Sequence, residues 1–155
     1  FVDLLHEAPG AAYARDPDGS QRRLAVNNVD TLQMAFMATG FPYHLAEYND
    51  NNHAEFAYIH PRCRGLRLLG AAAIDIANVA TGGLAAFWEG WLHPWDAATG
   101  ALLVREAGGT VTGYDGTPWR FGSAGLVASN GKIHGQLLDA IQTARQSVTE
   151  KLIPV

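Results

Sequence analysis

Apolar residues recur along this chain in short blocks whose spacing changes from one segment to the next. From Thr31 to Thr39 they form a compact run closed by Gly40 and Phe41-Pro42, which predicts a buried strand. Leu84 to Glu89 predicts a second apolar strand with an acid at its far end, and Arg62 to Leu69 a short strand carrying Arg62, Arg64 and Arg67. Thr110 to Thr112 and Gly125 to Ser129 read as two more, separated by the turn Asp115-Gly116-Thr117-Pro118. Between these blocks the spacing becomes helical. His44 to His60 places Leu45, Tyr48, Ala54, Phe56, Ala57 and Ile59 in a helix that the polar stretch Asn49-Asp50-Asn51-Asn52 interrupts or delays. Gly70 to Ala80 predicts a small-residue helix stopped by Gly82-Gly83. Asp96 to Ala107 predicts another, terminated by Gly108-Gly109. From Lys132 to Val148, Ile133, Leu137, Leu138 and Ile141 share one face of a last helix. At the front, Phe1 to Val26 reads as a hairpin, with turn signals at Pro9-Gly10 and at Asp16-Pro17-Asp18-Gly19-Ser20. Strands alternating with helices in this order predict an α/β layered fold.

Composition narrows the partners. The 155 residues, about half of them apolar, suffice for one domain with a core. A net charge of -4 and a pI near 5.8 leave no electrostatic footprint for nucleic acid, and no Lys or Arg run suggests a membrane surface. No stretch approaches the roughly 20 apolar residues of a membrane span, and no signal peptide is visible. The single cysteine, Cys63, allows no intrachain disulfide and fits a reducing compartment, so a cytoplasmic location is expected.

Candidate chemistry gathers around Trp88-Glu89-Gly90-Trp91-Leu92-His93-Pro94-Trp95-Asp96. Pro94 precedes the helical run, so Asp96 falls at or next to an N-cap, where its carboxylate accepts from first-turn N–H groups; it reads as a helix cap or as a metal ligand. Glu89 ends a strand and Asp96 starts a helix, which places both at the carboxyl edge of a sheet, where open α/β folds bind ligands. Oxygen donors without a histidine cluster suit a hard cation such as Mg²⁺. Glu89 reads equally as a solvated strand end. Gly70-Ala71-Ala72 opens a helix whose N–H groups face a phosphate or simply allow close packing. Arg67 suits a phosphate or a structural salt bridge. The six histidines show no ligand spacing, and only His93 is near the acids. Trp88, Trp91 and Trp95 flank those acids and serve packing or exclusion of water.

Three blocks resemble the inositol monophosphatase family of Mg²⁺-dependent phosphatases. They are Trp95-Asp96-Ala97-Ala98-Thr99-Gly100 running on to Glu106-Ala107-Gly108-Gly109, then Gly70-Ala71-Ala72-Ala73-Ile74-Asp75-Ile76 closed by Val79-Ala80-Thr81-Gly82, and Ala38-Thr39-Gly40-Phe41-Pro42-Tyr43. The resemblance implies the αβαβα sugar-phosphatase fold, with a mixed sheet flanked by helices. It makes Asp96 a metal ligand and catalytic residue, Glu89 the acceptor for a substrate hydroxyl, and Gly70, Ala71 and Ala72 the phosphate-side turn. Ala71 stands where the family carries Ser or Thr, so only backbone contacts survive there. Asp16-Pro17-Asp18-Gly19-Ser20 looks like a shortened copy of the family's Asp-Pro-x-Asp-Gly-Thr metal motif, but it is too near Asp96 and is expected to be a turn. The metal motif and an upstream Glu would therefore lie ahead of Phe1. The expectation is a C-terminal portion, weakly active or inactive by itself, that homodimerises or associates with the missing half. Expected substrates are inositol monophosphate or a related phosphorylated polyol, with histidinol phosphate, fructose 1,6-bisphosphate and bisphosphate nucleotides as rivals. An interaction domain that keeps the fold without catalysis is the alternative from another class.

Overall fold

The computed structural model describes residues 3–8, 11–43 and 50–151. Two sheets are present. Strands β1 (Asp3–Ala8), β2 (Ala11–Arg15) and β3 (Gln21–Arg23) form a three-stranded antiparallel sheet. The expected turn after β2 forms: Asp16 N–H donates to the Ser20 carbonyl, and Asp18 Oδ1 accepts from both the backbone N–H and the hydroxyl of Ser20. The Pro9-Gly10 turn lies outside the described residues.

The second sheet carries the site. Its strands are β4 (Phe36–Thr39), β5 (Gly65–Arg67), β6 (Ala86–Gly90), β7 (Thr110–Thr112) and β8 (Gly125–Ser129), in the order β5-β4-β6-β8-β7. β4 runs parallel to β5 and β6, whereas β8 runs antiparallel to β6 and β7. The strand period of two divides the side chains between two cores. Ala38 and Phe87 point to one face, where they meet Ile76, Val79, Ala101 and Val104. Met37, Ala86 and Trp88 point to the other, against Ile59, Ile133, Leu137 and Ile141.

Helices fill both faces. α2 (Ala72–Ala80) and α3 (Pro94–Glu106) cover the first, and Ala12, Ala14 and Leu24 of the small sheet's segment close the same core from outside. α1 (His53–Ile59) and α4 (His134–Lys151) cover the second. Small residues let α2 and α3 approach closely: a Cβ on Gly100 would stand 2.6 Å from Ile76 Cγ2. The expected Gly108-Gly109 terminator is a Schellman cap. Gly108 takes φ 86°, Gly109 N–H donates to the Val104 carbonyl, and Gly108 N–H donates to that of Arg105. Among the described residues no helix is long and apolar enough to cross a membrane.

Three boundaries differ from the sequence expectation. Thr31 to Thr39 is not one strand, because Leu32–Met34 forms a 3-10 turn and only Phe36–Thr39 pairs. A side chain from α4 diverts it: Gln136 accepts from Leu32 N–H and donates to the Asp30 carbonyl. The expected strand from Arg62 to Leu69 shrinks to Gly65–Arg67, because His60–Arg62 forms a 3-10 turn that continues α1. The start of α1 at His53, after Asn52 in the left-handed region at φ 66°, agrees with a helix delayed by the polar stretch; residues 44–49 lie outside the described set. Finally, α3 starts at Pro94 with His93 as its N-cap, so Asp96 is the third helical residue rather than the cap.

Candidate active site

A pocket of about 480 Å³ opens where β4 and β6 end and α2 and α3 begin. Its lining includes Glu89 and Asp96, the Gly70-Ala71-Ala72 turn, and His93. The five residues to which the family resemblance gives site roles, Asp96, Glu89, Gly70, Ala71 and Ala72, therefore line one cavity. The strand-to-helix logic explains why. β6 delivers Glu89 one residue before its end, and the connection through Trp91 and Pro94 returns Asp96 to the same edge.

Asp96 is held by its own helix end. Its Oδ2 accepts from the His93 backbone N–H at 3.1 Å, the reach-back bond of a capping box, and the His93 ring stacks on Trp95 with centroids 4.6 Å apart. Glu89 is half-buried. Burial pushes its carboxyl up to about 7, and the charges of Asp75 and Asp96 push in the same direction. Asp75 is the residue that sequence reasoning missed. It is only 2% exposed, it lines the pocket, its Oδ1 has no hydrogen-bond partner, and burial raises its carboxyl to about 6. The signal was an acid within a helix whose neighbouring positions, Ile76 and Val79, belong to the core.

The α2 end presents donors. Gly70 takes φ 80°, which a side chain at that position would resist, and Ala71 is the N-cap without a side-chain bond. Ile74 and Asp75 N–H both donate to the Ala71 carbonyl. The first-turn donors left for a ligand are those of Ala72 and Ala73.

Other candidates fall elsewhere. The Arg67 guanidinium lies over the Phe36 ring at 4.4 Å and donates to the Leu66 carbonyl, away from the pocket lining. Trp88 is fully buried on the α4 side, Trp95 is 76% exposed, and Trp91 alone of the three lines the pocket. Trp91 sits at φ 64°, with its indole N–H donating to the Asp50 carbonyl at 2.8 Å. Asp50 in turn accepts from Arg145 Nη1 at 2.8 Å, and the same Nη1 donates to the buried Glu55 at 2.7 Å, which ties the pocket rim to α4.

The donors suit a hard cation in kind, since Asp96, Glu89 and Asp75 offer only oxygen. In number they do not close a site. Among the described residues no group of three metal-binding side chains converges.

The model of the inositol monophosphatase family matches residues 10–148. The chain belongs to the inositol monophosphatase family. It is 39% identical over 127 residues to the inositol-1-monophosphatase of Synechocystis sp., covering 82% of this chain and 44% of that protein. It is 41% identical over 123 residues to the Nus factor SuhB of Pseudomonas aeruginosa, covering 78% and 45%. The inositol monophosphatase structure from Anabaena (Nostoc) sp. superposes with a TM-score of 0.77 at 33% identity, over 92% of this chain and 58% of that one. The chain thus spans about half the length of these family members. The mixed sheet flanked by helices is the fold that the family resemblance implied.

Proposed function

We propose that this chain is the C-terminal part of a single-domain, Mg²⁺-dependent phosphomonoesterase acting on inositol monophosphate or a related small phosphorylated polyol. The observation that carries this reading is the convergence of Glu89, Asp96 and the α2 end on one pocket. Asp96 would hold one position of the cation's shell through the oxygen that the His93 N–H leaves open. The remaining metal ligands would come from a portion of the protein preceding these residues. When bound, Mg²⁺ neutralises phosphoryl charge and makes water a competent nucleophile at neutral pH.

The chain's own residues do the rest. Helix α2 offers the Ala72 and Ala73 N–H groups to non-bridging phosphate oxygens, at the positive end of its dipole. Ala71 brings no hydroxyl to that contact, which makes it weaker and less selective. Glu89, once ionised, accepts a hydrogen bond from a hydroxyl next to the ester and so orients the leaving group. Water attacks phosphorus and releases a proton, the P–O ester bond breaks, and the departing alkoxide takes up a proton in its place, leaving the alcohol and inorganic phosphate. Homodimerisation and a cytoplasmic location complete the proposal, supported by the resemblance and by a composition with one cysteine.

Mg²⁺-dependent phosphate release tests it, measured on the full-length protein and on residues 1–155, with inositol 1-phosphate, histidinol phosphate, fructose 1,6-bisphosphate and a 3',5'-bisphosphate nucleotide. Turnover of the inositol ester by the full-length protein, reduced at least about 100-fold by Asp96→Asn, is the expected result. Near-normal turnover of that variant would refute the assigned role. Silence of the full-length protein on every ester would favour the non-catalytic interaction domain.

A further inference from the structure

Gly40 follows β4 and lies beside the end of β6, because the parallel pair sets Thr39 opposite Trp88. Its φ lies outside the left-handed region, so its backbone does not require glycine. Space does. A Cβ on Gly40 would stand 2.4 Å from Glu89 Cδ, 2.4 Å from Oε2 and 2.5 Å from Oε1. The Glu89 carboxyl group therefore occupies the volume that any side chain at position 40 would need.

The Gly40 backbone is also held in place. Asn52, 6% exposed, donates through Nδ2 to the Gly40 carbonyl at 2.7 Å and to Thr39 Oγ1 at 2.8 Å. Its Oδ1 accepts from the Trp88 indole at 2.8 Å, and the Thr39 hydroxyl donates to the Trp88 carbonyl at 2.6 Å. One buried asparagine thus ties the end of β4 to the residue preceding Glu89. Gly40 cannot retreat from an added methyl group without breaking bonds inside the protein, where lost partners are costly. The carboxylate is the part that must move.

We propose that Gly40, locked by Asn52, is a positioning residue for Glu89: the bare backbone seats the carboxylate at the angle from which it meets the substrate hydroxyl. This rests on the substrate role assigned to Glu89 above. In this role Gly40, which also lines the pocket, acts through Glu89.

A double-mutant cycle on the full-length protein tests it, using Gly40→Ala, Glu89→Ala and the pair. The readouts are kcat and KM for inositol 1-phosphate at saturating Mg²⁺, and the midpoint of thermal unfolding. Gly40→Ala is expected to raise KM about 10- to 100-fold, the worth of one charge-assisted hydrogen bond, with kcat nearly unchanged and the midpoint lowered. With Ala at position 89 the same change is expected to alter KM less than about twofold and to leave the midpoint where it was. Equal losses in both backgrounds overturn the proposal, and so does an unaltered KM when Glu89 is present. If Glu89→Ala leaves KM untouched, the substrate role of Glu89 fails. The unfolding half of the cycle still decides whether Gly40 seats its carboxyl group. Should Gly40→Ala fail to fold, recovery of folding in the pair is the expected coupling, and no recovery overturns it.

Discussion

Replacing Glu89 by Gln should stabilise this protein increasingly as the pH rises from about 4.5 to 7, and fully above that. A carboxyl that titrates at 4.5 when unfolded and at about 7 in the fold binds its proton more tightly when folded. Its contribution to stability is therefore fully present below pH 4.5 and is lost as pH rises through 7. At ~1.4 kcal/mol per pKa unit the loss comes to about 3.5 kcal/mol, and because Glu89 is half-buried, solvent trims it to about 2–3 kcal/mol. Gln matches the protonated acid in shape, so it also fits against Gly40 and carries no charge beside Asp75 and Asp96. Urea unfolding at pH 4 and pH 8 measures this. The two proteins should agree within about 0.5 kcal/mol at pH 4. At pH 8 the Gln variant should be more stable by about 2–3 kcal/mol, a midpoint shift of about 1 M or more at ordinary m-values. Saturating Mg²⁺ at pH 8 should narrow the gap, because cation binding near an ionised Glu89 stabilises the parent more than the variant. A Gln variant no more stable at pH 8 than its parent would refute the burial argument. A site that holds its acid at such a cost is one where stability has been exchanged for binding.

Two further perturbations test the packing. Gly100→Ala places a Cβ 2.6 Å from Ile76 Cγ2 and 2.8 Å from Ile76 Cβ. Overpacking costs about 1–3 kcal/mol against a helix-propensity gain of about 1 kcal/mol, so a net loss is expected in urea unfolding, relieved in part by Ile76→Ala. His134 is buried between hydroxyl groups: Thr112 gives its hydrogen to the Gly113 carbonyl and so accepts from Nε2–H, which leaves Nδ1 to accept from Ser129. Burial lowers the pKa of this neutral ring, so its contribution is present above about pH 6.5 and is lost as pH falls through the lowered value. His134→Gln should therefore flatten the acid side of the stability profile, the side opposite to Glu89. A profile unchanged by the substitution would count against it.

What the sequence determined follows from local rules. The spacing of Ile133, Leu137 and Ile141 can satisfy only a helix with one buried face, and α4 forms there. Gly108-Gly109 ends α3 because the left-handed cap position favours glycine. A strand ending in Glu89 and a helix opening near Asp96 reach the same sheet edge in any layered α/β fold, so two candidate site residues were readable from order alone. The tertiary structure decided what depends on residues far apart in the chain. Gln136 turns Leu32–Met34 away from strand geometry across a hundred positions, and no local propensity encodes such a bond. Asp75 was hidden because its burial arises from the strands and the helix packed around α2, whereas its own segment reads as an ordinary small-residue helix. Gly40 and Asn52 were hidden for the same reason. Their importance is a matter of which atoms lie within 3 Å, and that is settled only when β4, β6 and the residues ahead of α1 are brought together.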